Sequence, residues 1–340
     1  MKFFRYLLST FDLDFSGKML LCSVLVGVVA GFGAIAFHAG IEYVQDHCEK
    51  YTGVEALEEG THIETLTEAI RPQLSTNWQW LFLLPAAGGL LCGVLVYTLA
   101  PEAEGHGTDG MIRAFHQQRG EVRTRVPIIK AVASILTIGT GGSAGREGPT
   151  AQIGAGFGSF LATRLDLRDQ ERRILLLAGA AGGVGAIFHA PIGGALFAVE
   201  VLYASAAFEF AALIPCLFAS ITAHVVYTSI MGPDRVLAAP AGQLYSGLHE
   251  VPYYIIFALL CVFVAFFYVR TFYGMRDKVF RKIKMPPHFK PAIGGLAVGL
   301  IAIFLPQILA GGYNLMQSVL DHGDQLTGLG GSELLTLAAM

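Results

Sequence analysis

Charge is what this sequence has least of. Asp, Glu, Lys and Arg make up 14% of its 340 residues, where a soluble domain carries about 25%. Five stretches, 19–41, 174–199, 210–233, 251–269 and 291–320, contain none of the four. About 17–25 apolar residues suffice to cross the hydrocarbon of a bilayer, so each run is long enough to span it. With a mean hydropathy of +0.56, this scarcity excludes an ordinary soluble domain and points to an all-α integral membrane protein. Cysteine is scarce too. Cys22, Cys48, Cys92, Cys216 and Cys261 are scattered without ligand spacing, so neither a metal site nor a disulfide framework is expected. No nucleophile–base set stands out, and an enzyme is not expected. A net charge of −3 gives no reason to expect nucleic acid as a partner. The first apolar run is too long for a signal-peptide core.

Glycine, in contrast, is abundant, with 41 residues concentrated inside apolar segments such as GTGGSAG, GAGFG and GAAGGVGA. In a soluble helix each would cost roughly 1 kcal/mol relative to alanine. In a membrane, glycine lets helices approach closely and permits breaks where backbone lines a cavity. Tightly packed, interrupted helices are therefore expected. Spans are read at about 19–43, 78–100, 208–230, 251–272 and 291–308. Shorter helical pieces are read at 126–139 and 148–163, and a region at 174–204 is broken at FHAPIGG, where Pro191 resists a helix interior. A 14-residue piece rises about 21 Å, short of a core near 30 Å.

Orientation follows the basic residues. Residues 101–130 and 164–173, and the link at about 270–290, are rich in Lys and Arg, which the positive-inside rule places in the cytoplasm. Residues 1–18 then form a cytoplasmic N-terminal segment and 19–340 the transmembrane domain, with an acidic external loop at about 44–76. Trp78 and Trp80 read as interfacial anchors. The last residues, SELLTLAAM, form an apolar, helix-like run, and a truncated piece of a longer protein is expected.

The stretch GGSAGREGPTAQIG (141–154) raises a specific question, because Arg146 and Glu147 stand alone between uncharged runs. A lone buried carboxylate is costly unless paired or protonated. Pro149 favours a first helical turn, which puts Glu147 at a helix N-terminus, where unpaired N–H groups attract an anion. Two readings stay open on the residues alone. Glu147 is a gate that competes with a solute anion, or it is a capping carboxylate fixed by Arg146. A second glycine-rich break, PEAEGHGTDG (101–110), allows anion contact through backbone N–H groups or a plain turn, with Thr108 and Asp109 as candidate caps. His106 and His189 read as local hydrogen-bonding or packing residues before ligands. Glu200 closes a long uncharged run, and it lines a vestibule or caps a span.

Together, PEAEGHGTD, GREGPTAQIGA and AGGVGAIFHAPIGGALFAVE resemble the first half of the CLC family of chloride channels and chloride/proton antiporters. The resemblance covers about residues 17–340. It implies tilted and broken helices in inverted-topology halves, the second incomplete here, and a homodimer with one pore per subunit. It implies no cofactor, with chloride as the transported ion and small anions, protons and membrane lipids as partners. Glu147 would be the gate. Gly105, His106, Gly107, Thr108, Arg146 and Gly148 would form the anion site, and Glu200 would be a proton or vestibule residue. Two departures matter. His106 stands where the family's GSGIP motif has serine, and Val201 stands where antiporters carry a second glutamate that accepts the inner proton. The missing carboxylate favours passive, gated conduction of chloride or a similar small anion. An antiporter with an altered proton route, a fluoride-type variant, and a non-transporting truncated homologue or assembly subunit are the alternatives. Tyr313, in LPQILAGGYNLMQ, lacks the context of the family's pore tyrosine and is not assigned to the pore. The compact loops suit a bacterial inner membrane.

Overall fold

A computed structural model describes residues 15–52, 77–203, 209–233, 237, 247–305, 308–313, 316–317 and 320. Most of the expected N-terminal segment, the acidic loop from residue 53 and the C-terminal SELLTLAAM run lie outside them. Among the described residues the fold is all α. In chain order the helices are α1 (Phe15–Thr52), α2 (Trp78–Leu99), α3 (Thr108–Gln117), α4 (Arg125–Gly139), α5 (Glu147–Arg164), α6 (Asp169–Ile187), α7 (Pro191–Glu200), α8 (Phe210–Met231), α9 (Val251–Gly274) and α10 (Lys290–Ala302). Among the described residues, four helical stretches are long and apolar enough to cross a membrane: Gly17–Thr52, Trp78–Leu99, Phe210–Met231 and Leu248–Phe280. The protein is a multi-pass integral membrane protein.

The departures from the sequence reading have local causes. Residues 44–52, expected in the loop, continue α1, whose charged last turns are free to project beyond the apolar stretch. The uncharged run 174–199 is no departure: it makes two helices, broken at FHAPIGG as expected. His189 takes a left-handed φ of 52°, and Pro191 then starts α7 at its first position, where its missing N–H costs nothing. In the run 291–320 the short α10 ends at Ala302, before the expected end near 308. Thr108 and Asp109 cap nothing, because α3 begins after Gly107 without a side-chain cap.

The core is the packing of α5 on α6, with α8 on the other side of α6 and α1 across both. Leu175, Leu176, Leu177, Ala178, Ala180 and Ala181 are fully buried in it. The GAGFG and GAAGGVGA segments supply the contact that makes this possible. A methyl group on Gly154 would strike the Gly179 carbonyl, and one on Gly179 the Gly154 carbonyl. The two backbones touch, as small residues allow in membrane helix pairs. α9 is different, since its apolar window is wholly exposed.

Polar contacts collect at the two ends of the bundle. At one end Lys18 bonds Glu171 at 3.2 Å, Arg119 approaches Asp169 at 3.7 Å, and Arg172 approaches Asp169 at 3.2 Å. Glu171 also accepts the Arg168 backbone N–H at 2.8 Å, fixing the start of α6. His38, Arg146, Glu147, His189, His224 and Tyr313 meet at the other end.

Candidate functional site

Glu147 is the first residue of α5. The chain enters the helix from the Gly141 turn, and Thr150 Oγ1 bonds back to the Arg146 and Glu147 carbonyls at 2.8 and 3.0 Å. Gly148, Pro149 and Thr150 are buried, whereas the Glu147 side chain is exposed. The carboxylate thus projects from the helix end into a cavity of about 750 Å³ lined also by Gly145, His189, His224, Thr228 and Tyr313. It lies so close to Gly145 that a methyl group there would collide with it.

Arg146 does not hold Glu147. Its Nη1 donates to His38 Nδ1 at 3.0 Å, and His38 Nε2 lies 2.9 Å from Glu42 Oε1. A guanidinium can only donate, so Nδ1 accepts and Nε2 carries the proton to Glu42. Arg146 finds its carboxylate on α1, through an imidazole. No Arg146–Glu147 ion pair exists among the described residues, and the Arg146 Nε is buried without a partner there. The polar contact made by the Glu147 carboxylate among them is with the Tyr313 hydroxyl, which donates to Oε1 at 3.5 Å. Tyr313 is placed by two contacts. The Ala310 N–H donates to the Gly141 carbonyl at 3.2 Å, and the Arg146 guanidinium lies 5.4 Å from the Tyr313 ring centroid, a cation–π distance.

The second glycine-rich break meets the first. A methyl group on Gly148 would run into the His106 carbonyl, and one on Gly107 into the Gly148 carbonyl. Gly107 has φ 112°, which disfavours any other residue. The N-termini of α3 and α5 are therefore packed together, and their first-turn N–H groups and dipoles favour an anion there. Lys130, only 4% exposed, locks the break from α4 by donating to the Ala103 carbonyl at 3.1 Å and to that of Gly105. On the same loop Glu102 pairs with Arg123. Burial pushes the Glu102 carboxyl up, but its backbone hydrogen bond and Arg123 outweigh that and hold it below the usual carboxylate range.

The remaining candidates fall into place unevenly. Gly105, His106, Gly107, Thr108 and Gly148 come together. The His106 ring, however, is held by its own turn, with Nδ1 2.6 Å from Thr108 Oγ1 and Nε2 3.4 Å from Asp109. Glu200 ends α7 and is exposed, roughly 14 Å along the helix axis from Pro191 at 1.5 Å per residue. Nearby, His116 Nε2 lies 3.0 Å from the Leu202 carbonyl, and the Tyr203 hydroxyl donates to Glu209 at 2.8 Å, which raises the Tyr203 pKa. Sequence reading set Tyr313 aside and missed His38 and His224. Tyr313 lies 166 residues from Glu147 and His38 lies 108 from Arg146, so no local spacing announces either. Among the described residues no His, Cys, Asp and Glu group could hold a metal ion.

Residues 88–340 match the family described as voltage gated chloride channel. The chain is 28% identical to the chloride channel protein CLC-f of Arabidopsis thaliana over 94% of its own length and 40% of that protein's. It is 27% identical to the H⁺/Cl⁻ exchange transporter ClcA of Vibrio cholerae, over 90% of this chain and 63% of the relative. It therefore spans less than two thirds of these relatives. Among solved structures, a slow cyanobacterial Cl⁻/H⁺ antiporter superposes with a TM-score of 0.72 at 22% identity, over 94% of this chain and 72% of the other. A CLC-type fluoride/proton antiporter gives 0.70 at 21%, over 87% and 68%. With these contacts in place, the broken all-α fold and the paired glycine-rich helix starts have one source: the chain belongs to the CLC family of voltage gated chloride channels.

Proposed function

We propose that the chain moves chloride or a similar small monovalent anion across a membrane in exchange for protons, with Glu147 as the gate. One observation carries the reading. The Glu147 carboxylate starts α5 and opens into the cavity, while Arg146 is committed to His38 and Glu42. A carboxylate held by Arg146 as a cap would stay put. This one can occupy the anion position at the helix N-termini or leave it, and can carry a proton as it goes. Gly105, His106, Gly107, Thr108, Arg146 and Gly148 form the anion-holding backbone and its support. Similarity to ClcA, an H⁺/Cl⁻ exchange transporter, and to the two antiporter structures favours exchange over the passive conduction expected from sequence. Passive conduction is the second reading, favoured by Val201, an apolar side chain beside Glu200. A bacterial inner membrane, a cytoplasmic N-terminus, a homodimer and voltage sensitivity belong to the same proposal.

The test is the reversal potential of the chain in liposomes under opposed chloride and proton gradients. Exchange predicts a reversal that moves with the proton gradient. A reversal that ignores the proton gradient supports the passive reading, and absence of anion flux supports a non-transporting homologue. In Glu147→Gln, anion flux persists and proton movement ceases. Unchanged proton coupling in this variant removes Glu147 from the gate role.

A further inference from the structure

We infer that His189 and His224 form an acid-dependent subsite for a small inorganic anion, in the cavity beside Glu147 and separate from the helix N-terminal position. This deepens the transport reading and rests on it only for the claim that the cavity is an anion path.

The two imidazoles come from different elements. His189 lies beyond the end of α6, fixed by its left-handed φ of 52° and by its N–H donating to the Ala186 carbonyl at 3.3 Å. His224 sits on α8, one turn before Thr228, whose hydroxyl bonds the His224 carbonyl at 2.9 Å. Their ring centroids are 5.5 Å apart at 75°, and both side chains line the cavity. The His224 Nδ1 is buried and has no hydrogen-bond partner among the described residues. A buried ring nitrogen without a partner calls for a water or an ion, and the adjoining cavity has room for either.

Charge decides which. The groups facing the pair are Glu147, the Tyr313 hydroxyl and, across the Tyr227 ring, His38 with Arg146 and Glu42. Arg146 and Glu42 cancel through His38, and the other cavity-lining side chains among the described residues are uncharged. With neutral imidazoles, Glu147 gives the described residues of the mouth a single negative charge, which repels anions. Two imidazolium charges against that one carboxylate reverse its sign. Two imidazoliums this close also repel each other, and an anion between them relieves the repulsion. Proton and anion binding are therefore linked, each raising the affinity for the other. Acid on this side of the membrane, by supplying those protons, therefore loads the mouth with anion.

The experiment titrates sodium chloride into the detergent-solubilised chain by calorimetry at about pH 5.5 and about pH 7.5, on either side of the ordinary imidazole range. Glu147→Gln is the background, so that the gate carboxylate does not titrate. Chloride binds about tenfold tighter at the acid pH, a change of about 1.4 kcal/mol, and binding takes up protons. Adding His189→Gln and His224→Gln together abolishes the pH dependence while chloride still binds. Each single substitution removes part of it and decides the matter if the triple variant does not fold. A pH dependence that survives both substitutions, or none in the Glu147→Gln background, overturns the subsite. Because binding is read without flux, a chain that transports nothing leaves this result intact. A chain that exchanges anions with no histidine effect sinks the subsite alone.

Discussion

At the scale of single residues, the glycine before the REGP sequence does as much as the charges in it. Gly145 leaves the space that the Glu147 carboxylate fills, and a methyl group there would collide with it. The obstructing atoms belong to the far end of a flexible side chain, so the carboxylate can move instead of the backbone breaking. On the proposed gate role of Glu147, Gly145→Ala is therefore expected to raise chloride flux several-fold at neutral pH by displacing this carboxylate, with little loss of folded protein. Chloride efflux from liposomes, compared with Glu147→Gln, measures it, and efflux at the wild-type level contradicts the tight packing of gate against glycine. The REGP motif placed Glu147 at a helix start, because Pro149 and an uncharged helix can be read locally. It gave no sign of where Arg146 would turn, because His38 and Glu42 are brought to it by α1 through tertiary packing. The burial expected for Glu147 also failed for a local reason. The carboxylate is at the helix end, and the cavity lies beyond that end.

At the scale of elements, legibility follows hydrophobic patterning. The limits of α2, α4, α5, α8 and α9 fall within a few residues of the sequence reading, because charge, proline, a glycine cluster or an interfacial tryptophan marks their ends. The first helix outruns its apolar stretch to Thr52, since helix geometry does not stop where the hydrocarbon does. The α5–α6 seam was legible as composition, in two glycine-rich segments, although their pairing was not. That pairing is a strong constraint, because backbone faces backbone at Gly154 and Gly179. Replacing Gly179 with valine forces the helices apart and costs at least about 1–3 kcal/mol, the usual range for overpacking. Size-exclusion chromatography of the detergent-solubilised chain is expected to show loss of the monodisperse peak. Gly294→Val, where a side chain meets nothing within 4 Å, should leave the peak in place. A well-folded Gly179→Val protein would mean that the two helices do not pack in contact.

At the scale of the whole molecule, the two ends of the bundle differ in chemistry. Lys18, Arg119, Arg168 and Arg172 with their carboxylate partners mark one end, and the histidine-lined mouth of Glu147 marks the other. The helices between them alternate in direction. α5 carries the chain from Glu147 to Arg164, and α6 returns it from Asp169 toward His189. One orientation in the membrane therefore fixes both ends. By the positive-inside rule the arginine end is expected in the cytoplasm, and the Glu147 cavity would then face outside, where the proposed anion subsite would meet the exterior. Single cysteines test this in a background with the native cysteines Cys48, Cys92 and Cys261 removed, all at least partly exposed. Cysteine at Arg119, which is 76% exposed, should react with a membrane-impermeant maleimide only after the cytoplasmic side is opened. Cysteine at Asn77, exposed at the start of α2, should react in intact cells. The reverse pattern would invert the molecule and turn the histidine subsite into a sensor of cytoplasmic acid, without altering a contact within it.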